Sequence, residues 1–407
     1  MKKNIAIIGY GARGRIYKAF ADKNPDLFNL VAVVEVDKNK VEKLKKDGIK
    51  YVYEDYREFL KDNHKLDMVI ISTSDALHRE QAVACLEKGY PLLLEKPIAT
   101  NIEDCEAVLE AATRNNRKVF VAHVLRYTPF YSRLKDIIDS GKLGEVLSIH
   151  ASENIGFYHF ANSYVRGNWH REEDSSPIIL AKCCHDMDII AYLMNESCAA
   201  ISSVGTLSHF KESCAPKNST EYCSDCPLGF ECVYNAQRVY TTYGRPFAGY
   251  FYDKDGPDED LLKALEKTDY DKCVYHNDND VVDHQSTVML FKNGKTAVHT
   301  MVAFSKEIYR DIKIYGTKAE LVGSMESNYI EIRPFGGEVE RINIVLGDNL
   351  VGGHCGGDNF FMQQVYRALN DEPCKGITYL DVSVQSHRMA FAAEESRKNG
   401  GKLIELC

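Results

Sequence analysis

The first third of the chain alternates short, continuous apolar runs with longer stretches whose apolar residues recur at helical spacing. The runs are Asn4-Ile5-Ala6-Ile7-Ile8, Leu30-Val31-Ala32-Val33-Val34, Asp67-Met68-Val69-Ile70-Ile71, Pro91-Leu92-Leu93-Leu94 and residues 118–122. Their length and lack of polar alternation fit strands buried on both faces, as in a parallel sheet. Tyr51-Val52-Tyr53 reads as a further short strand. Residues 41–46, 55–61, the stretch closing at Gly89 and the stretch from Thr100 or Asn101 to about Asn115 read as helices. This alternation predicts an α/β domain with a doubly wound parallel sheet over residues 1–123.

From about Val124 the rhythm changes. Residues 129–140 read as a helix ended by Gly141, 145–153 alternate like a sheet strand, and 177–194 read as one helix. Residues 287–291 and 296–304 flank Asn293-Gly294, a hairpin signature. Strands follow at 311–315, 329–332 and 339–344, and a last helix runs from about Thr378-Tyr379-Leu380-Asp381 to Asn399-Gly400. Residues 124–407 are thus a second domain, enlarged at about 205–283.

The first run ends in Gly9-Tyr10-Gly11-Ala12-Arg13-Gly14. Gly9 permits a tight turn, Gly11 lets a pyrophosphate approach the backbone, and Gly14 lets the next helix sit close to the sheet. The helix beginning near Ala12 offers unpaired N–H groups to an anion. Glu35 ends the second run, about 20 residues past the last glycine, where a ribose-binding acid belongs. The pattern points to NAD. NADP stays open, because Arg13 or Arg15 could soften the repulsion between Glu35 and a 2′-phosphate. Thr73, Ser74 and His78 follow another strand and are candidate cofactor contacts, though Ser74 and Asp75 also suit helix capping.

Composition narrows the partners. The 407 residues are 44% apolar and 27% charged, with a net charge of -9, which argues against nucleic acid. No run reaches membrane-spanning length, and the N-terminal run is strand-sized, so a cytoplasmic protein is expected. The 13 cysteines are then expected as thiols, metal ligands or core residues, not disulfides.

The glycine turn, the loop at residues 73–78, Glu95-Lys96-Pro97, Arg126-Tyr127-Thr128-Pro129 and Gly141-Lys142-Leu143-Gly144-Glu145 resemble the Gfo/Idh/MocA oxidoreductase family. The resemblance covers nearly the whole chain. It implies a Rossmann domain followed by a C-terminal domain on a large open, mainly antiparallel sheet. It also implies NAD(P)-dependent oxidation or reduction of a carbohydrate or polyol. A homodimer or homotetramer is expected by analogy. The family counterpart of Arg166-Gly167-Asn168-Trp169-His170 lies near the nicotinamide, which would put Arg166 and Trp169 there; an ordinary loop anchored by the tryptophan is the alternative. Glu95 and Lys96 belong to the same cofactor-facing set, and Arg126 to the substrate set.

In the family, one helix carries an acid four residues before a histidine. Here His185 fits the histidine and Asp188 the acid that often follows it, but Ala181 stands at the upstream position, with Lys182 beside it. Lys182, His185 and Asp188 are three apart and could share a helix face. Lys96 and His185 carry the expected chemistry. A histidine can accept a hydroxyl proton, and an ammonium stabilises a developing alkoxide. The reverse assignment, Lys96 as base with His185 orienting substrate, is the alternative, because a cationic nicotinamide ring should depress the pKa of a neighbouring lysine. His284 and His354 are further substrate candidates, and either could instead belong to a turn or cap.

The 205–283 insert contains Cys214, Cys223, Cys226 and Cys232, and resembles a family subgroup with cysteine-bearing inserts. C-x-x-C spacing and four thiolates would suit structural zinc, with an iron–sulfur cluster or free thiols as alternatives. Its many aromatics could stack on sugar rings or fill a small core. Three functions are therefore carried forward. The first is a dehydrogenase acting on a secondary hydroxyl of a sugar, glycoside or cyclitol. The second is a glycoside hydrolase or lyase working through transient oxidation. The third is a non-catalytic NAD-binding sensor.

Overall fold

A computed structural model describes residues 1–252, 255–346 and 354–406. Gly352 and Gly353, in the glycine-rich stretch around His354, lie outside the described residues.

The apolar runs become a six-stranded parallel sheet: β1 (Lys3–Ile8), β2 (Phe28–Val34), β3 (Tyr51–Tyr53), β4 (Met68–Ile71), β5 (Leu92–Leu94) and β6 (Val119–Val121), in the order β3-β2-β1-β4-β5-β6. Helices α1 (Ala12–Lys23), α2 (Lys38–Lys46), α3 (Tyr56–Lys61), α4 (His78–Glu87) and α5 (Ile102–Arg114) form the crossovers. Capping follows the sequence: the side chains of Asp37, Asp55 and Asn101 each accept a first-turn N–H. Two apolar layers sandwich the sheet, so the strands are buried on both faces. The order reverses between β1 and β4, which opens a crevice at the carboxyl ends of those strands.

The second sheet has nine strands: β7 (Val146–Asn154), β8 (Cys198–Thr206), β9 (His284–Phe291), β10 (Thr296–Val302), β11 (Tyr309–Gly316), β12 (Ala319–Ser324), β13 (Tyr329–Pro334), β14 (Glu340–Asn343) and β15 (Ile404–Glu405). β7 and β10 pair in parallel, and every other pair is antiparallel. Helices α6 (Pro129–Asp139), α7 (Cys184–Met194), α8 (Gly357–Leu369) and α9 (Leu380–Lys398) follow in chain order. One face of this sheet meets α7 and α9 over the largest core. On the other face Val204, Val288 and Leu290 are exposed. Thr206 pairs with His284, so the whole insert leaves and rejoins the sheet at one point. The insert is mostly short helical turns around its own small core, which includes Val239, Tyr240, Leu261 and Leu265. Among its aromatics Tyr240 is fully buried, whereas Phe230 and Tyr250 are exposed. Among the described residues no helix is long and apolar enough to cross a membrane.

One predicted element is divided. Residues 177–194 do not form a single helix; Ile178–Ala181 is one turn, and α7 starts afresh at Cys184. The carbonyl of Ala181, which would accept the His185 N–H in a continuous helix, accepts the Lys96 ammonium at 2.8 Å instead. Lys182 therefore falls outside the helix that carries His185 and Asp188.

Candidate active site

The glycine turn is shaped for close backbone approach. Gly9 has φ +92°, and a Cβ there would sit 2.7 Å from the Ser72 backbone; one on Gly14 would sit 2.1 Å from the Gly9 carbonyl oxygen. Gly11 opens α1 into free space, and no side chain caps the helix. The first-turn amides of Ala12, Arg13 and Gly14 thus lack intrahelical acceptors, and no acid lies in that turn to repel an anion. Across the turn, buried Glu35 accepts the N–H groups of Tyr10 at 3.0 Å and Asp37 at 2.9 Å. Its carboxylate is held where a ribose diol would meet it. These residues fit a dinucleotide.

Arg13 departs from its expected role. Its guanidinium donates to Glu95 at 2.5 Å and to Asp358 at 2.6 Å, at the end of β5, so it does not counter Glu35. Burial pushes the Asp358 carboxyl up, but Arg13 and the His354 hydrogen bond outweigh it and bring it down to about 2. Glu95 also accepts the Tyr17 hydroxyl at 2.5 Å, so it is a buried anchor for α1.

The loop after β4 divides its work. Thr73 bonds Gln81 at 2.7 Å and Ser74 is exposed. His78 is fully buried between the carbonyls of Pro97 at 2.7 Å and Thr73 at 3.3 Å. It fixes the Lys96-Pro97 segment and does not face the crevice. Trp169 reaches this loop, its indole N–H lying 3.4 Å from Asp75. Arg166 turns the other way, donating to the carbonyls of Lys272 and Tyr234 under the insert, both at 2.7 Å.

Lys96 and His185 meet beside Ala181. His185 is 4% exposed, and its pKa is lowered well below the ordinary value, first by burial and then by Lys96, His354 and His123. The ring is therefore neutral at neutral pH. His354 packs 5.7 Å from it, ring to ring, and bonds Asp358 at 3.2 Å. Behind His185, His123 and His387 continue a buried row at 5.8 and 5.6 Å. His387 accepts the Ile98 N–H at 2.9 Å and so holds the lysine segment from the far end of the chain.

Several other candidates are occupied elsewhere. Asp188 and Arg126, expected in catalysis and substrate binding, form a buried two-bond ion pair with both distances 2.6 Å. Arg126 also lies 4.5 Å over the Tyr192 ring. This pair joins α7 to the segment before α6. Lys182 pairs with Glu153 at 3.2 Å. His284 bonds its neighbour Asp283 at 2.8 Å at the start of β9, not the Lys96 cluster. Cys214 bonds the Ser208 carbonyl at 3.4 Å, whereas Cys223, Cys226 and Cys232 share a cavity with Cys273, a residue the spacing did not single out.

Glu153 and Arg310 were not anticipated either. Glu153 is fully buried and takes both Lys182 and the Arg310 guanidinium, which also donates to Asp186 at 2.9 Å. Cys183, Asp186 and His299 come within metal-ligand reach of one another, but Arg310 already neutralises Asp186 there.

The family described as an oxidoreductase family with an NAD-binding Rossmann fold matches residues 3–123, and its C-terminal alpha/beta domain matches residues 135–406. The chain belongs to the Gfo/Idh/MocA oxidoreductases. As a member of that family it is an NAD-dependent oxidoreductase. It is 25% identical over 322 residues to YteT of Bacillus subtilis (strain 168), a protein classed with the oxidoreductases, covering 74% of this chain and 72% of that one. It is 33% identical over 136 residues to inositol 2-dehydrogenase 2 of Saccharopolyspora erythraea, a match spanning 33% of this chain and 37% of that enzyme. Levoglucosan dehydrogenase, solved with NADH and levoglucosan, superposes with a TM-score of 0.73 at 17% identity, covering 100% and 99% of the two chains. An NAD-binding oxidoreductase from Klebsiella pneumoniae superposes with a TM-score of 0.72 at 18% identity, covering 100% of both. At such identities these two structures speak for the fold alone.

Proposed function

We propose that this Gfo/Idh/MocA protein transfers a hydride between NAD and a secondary carbinol carbon of a sugar, glycoside or cyclitol. One observation carries the reading: Lys96, whose ammonium is anchored on the Ala181 carbonyl, exerts the strongest charge effect on the neutral, buried His185, beside the crevice that the glycine turn opens. NAD, when bound, supplies the hydride acceptor. The Lys96 ammonium has three donors and spends one on Ala181, leaving two for a substrate oxygen. It therefore positions the hydroxyl and stabilises the alkoxide as charge develops. His185 is uncharged and receives the hydroxyl proton. Its Nδ1 is sealed in the interior without a partner, so proton exchange runs through Nε2. Glu35 selects NAD over NADP by repelling a 2′-phosphate.

The inositol 2-dehydrogenase named above supports a polyhydroxylated substrate class. The exposed Val204, Val288 and Leu290 of the open sheet support association of subunits through that face.

The test is Lys96→Met with a panel of sugars, glycosides and cyclitols. The variant should bind NADH as the parent does and lose at least a hundredfold in turnover. Retained turnover would remove Lys96 from the reaction. Aglycone release without accumulating NADH would replace net oxidation by the redox-assisted cleavage of a glycoside.

A further inference from the structure

Arg166 presents a charge problem. It is 3% exposed at the end of the wide helical turn Ala161–Arg166, and a guanidinium stays ionised at any ordinary pH. No carboxylate among the described residues forms an ion pair with it. Two of its nitrogens donate to the carbonyls of Lys272 and Tyr234, the second of them also approaching the Cys223 sulfur at 3.6 Å, and Nη1 is sealed in without a partner. Buried cations are compensated, so negative charge must arise close by.

The buried Asp271 carboxylate lies in this neighbourhood but is taken by Ser224 and the Lys267 N–H, which leaves sulfur as the source of charge against the guanidinium itself. Cys223, Cys226, Cys232 and Cys273 line one small cavity at this place. Three thiols come from the turns at residues 223–232. The fourth is brought in by an antiparallel bridge between Tyr222 and Lys272, where the Cys273 N–H donates to the Glu221 carbonyl at 2.8 Å. Two chain segments about 50 residues apart are thus clamped so that their cysteines face each other and Arg166. Cys214 does not line the cavity.

We propose that Cys223, Cys226, Cys232 and Cys273 bind one thiophilic divalent ion, with zinc as the expected occupant. Each thiol gives up its proton on binding, so four protons leave and the centre carries two net negative charges. Arg166 offsets one of them and donates to the Cys223 sulfur, which orients that ligand. As placed, no three of the four sulfurs lie within 4.8 Å of one another, so ligation includes a change of χ1 well at the cysteines. The ion would cross-link two parts of the insert, and Arg166, which bonds Cys223, joins it to the strip that carries Trp169 to the Asp75 loop. This role does not depend on the identity of the substrate.

Metal analysis of the full-length protein, purified without chelator and then equilibrated anaerobically with Zn²⁺, tests the site independently of turnover. About one zinc per chain is expected in the parent and in Cys214→Ser, with at least a tenfold loss in Cys273→Ser. Because Cys273→Ser could perturb folding, the intact parent is also alkylated before and after chelation. The four named cysteines should react only after the metal is removed. Zinc below about a tenth per chain in the reconstituted parent would overturn the proposal. So would equal alkylation in both states, retention in Cys273→Ser with loss in Cys214→Ser, or iron accompanied by acid-labile sulfide.

Discussion

Replacing Asp188 by asparagine separates two readings of α7. The resemblance implies that Asp188 works beside His185; its hydrogen bonds go to Arg126. Both partners are buried, and their two bonds are 2.6 Å each. Removing one partner of a buried ion pair costs about 3–5 kcal/mol, chiefly because the other charge is stranded. Asparagine keeps one acceptor oxygen and the same volume, which places the loss near the lower bound, about 3 kcal/mol. Against the roughly 5–15 kcal/mol that holds a typical domain together, the variant stays folded with a visibly lower urea midpoint. The double replacement Arg126→Met, Asp188→Leu removes both charges and should recover most of that loss. Circular dichroism along a urea series, alongside NADH production at a temperature where all forms are folded, supplies both readouts. Under the structural assignment turnover changes less than tenfold. A thousandfold loss of kcat with an unchanged urea midpoint would refute it and return Asp188 to the reaction.

Gly14→Ala places a Cβ against the Gly9 carbonyl with no flexible side chain to yield, so NADH affinity, followed by cofactor fluorescence, should fall at least tenfold while helix content is kept. Glu35→Ser removes the carboxylate proposed to repel a 2′-phosphate and should raise the NADP-to-NAD ratio of kcat/KM at least tenfold. The buried histidines predict the acid limb of stability. Burial lowers His123 to about 4 and His387 to about 3. Below about pH 6.5 the unfolded chain therefore takes up protons that these rings refuse. Stability should fall by about 1.4 kcal/mol per pH unit for each of the two between about pH 6.5 and 4, after which only His387 contributes down to about 3. Replacing both by glutamine should take about 2.7 kcal/mol per pH unit off that limb above about pH 4, leaving the share of the other buried histidines such as His185; an unchanged slope in urea midpoints across this range would refute it.

Much of this arrangement was legible because its signals are local. The glycine turn, Glu35, and the apolar runs of β1, β2, β4 and β5 depend on neighbours a few residues away. Lys96 stood out as a charge at the end of a buried run. What escaped depends on partners distant in the chain. The break before α7 was hidden because residues 177–194 have sound helical periodicity; it is the lysine 85 residues upstream that takes the Ala181 carbonyl. Arg13 looked like a phosphate or ribose contact until Asp358, from the far end of the chain, claimed it. Arg310 and His299 did leave a trace. Each sits in the inward phase of its strand, Arg310 with Ile312 and Ile314, His299 with Ala297 and Met301. A charge or imidazole in an apolar phase signals a buried partner without saying which.

The C-terminal segment completes the nucleotide half. Val121 donates its N–H to the Thr378 carbonyl at 2.8 Å, Leu380 and Val384 join the apolar layer beneath β5 and β6, and His387 grips Ile98. A ribosome finishes residues 1–123 long before it makes these. The emerging half must therefore wait, with an unsealed flank and an untethered Lys96 segment, until residues 378–387 have been made. Premature termination near residue 375 would delete no glycine of the turn and no member of the Lys96–His185 pair, yet it would leave the reaction centre unassembled.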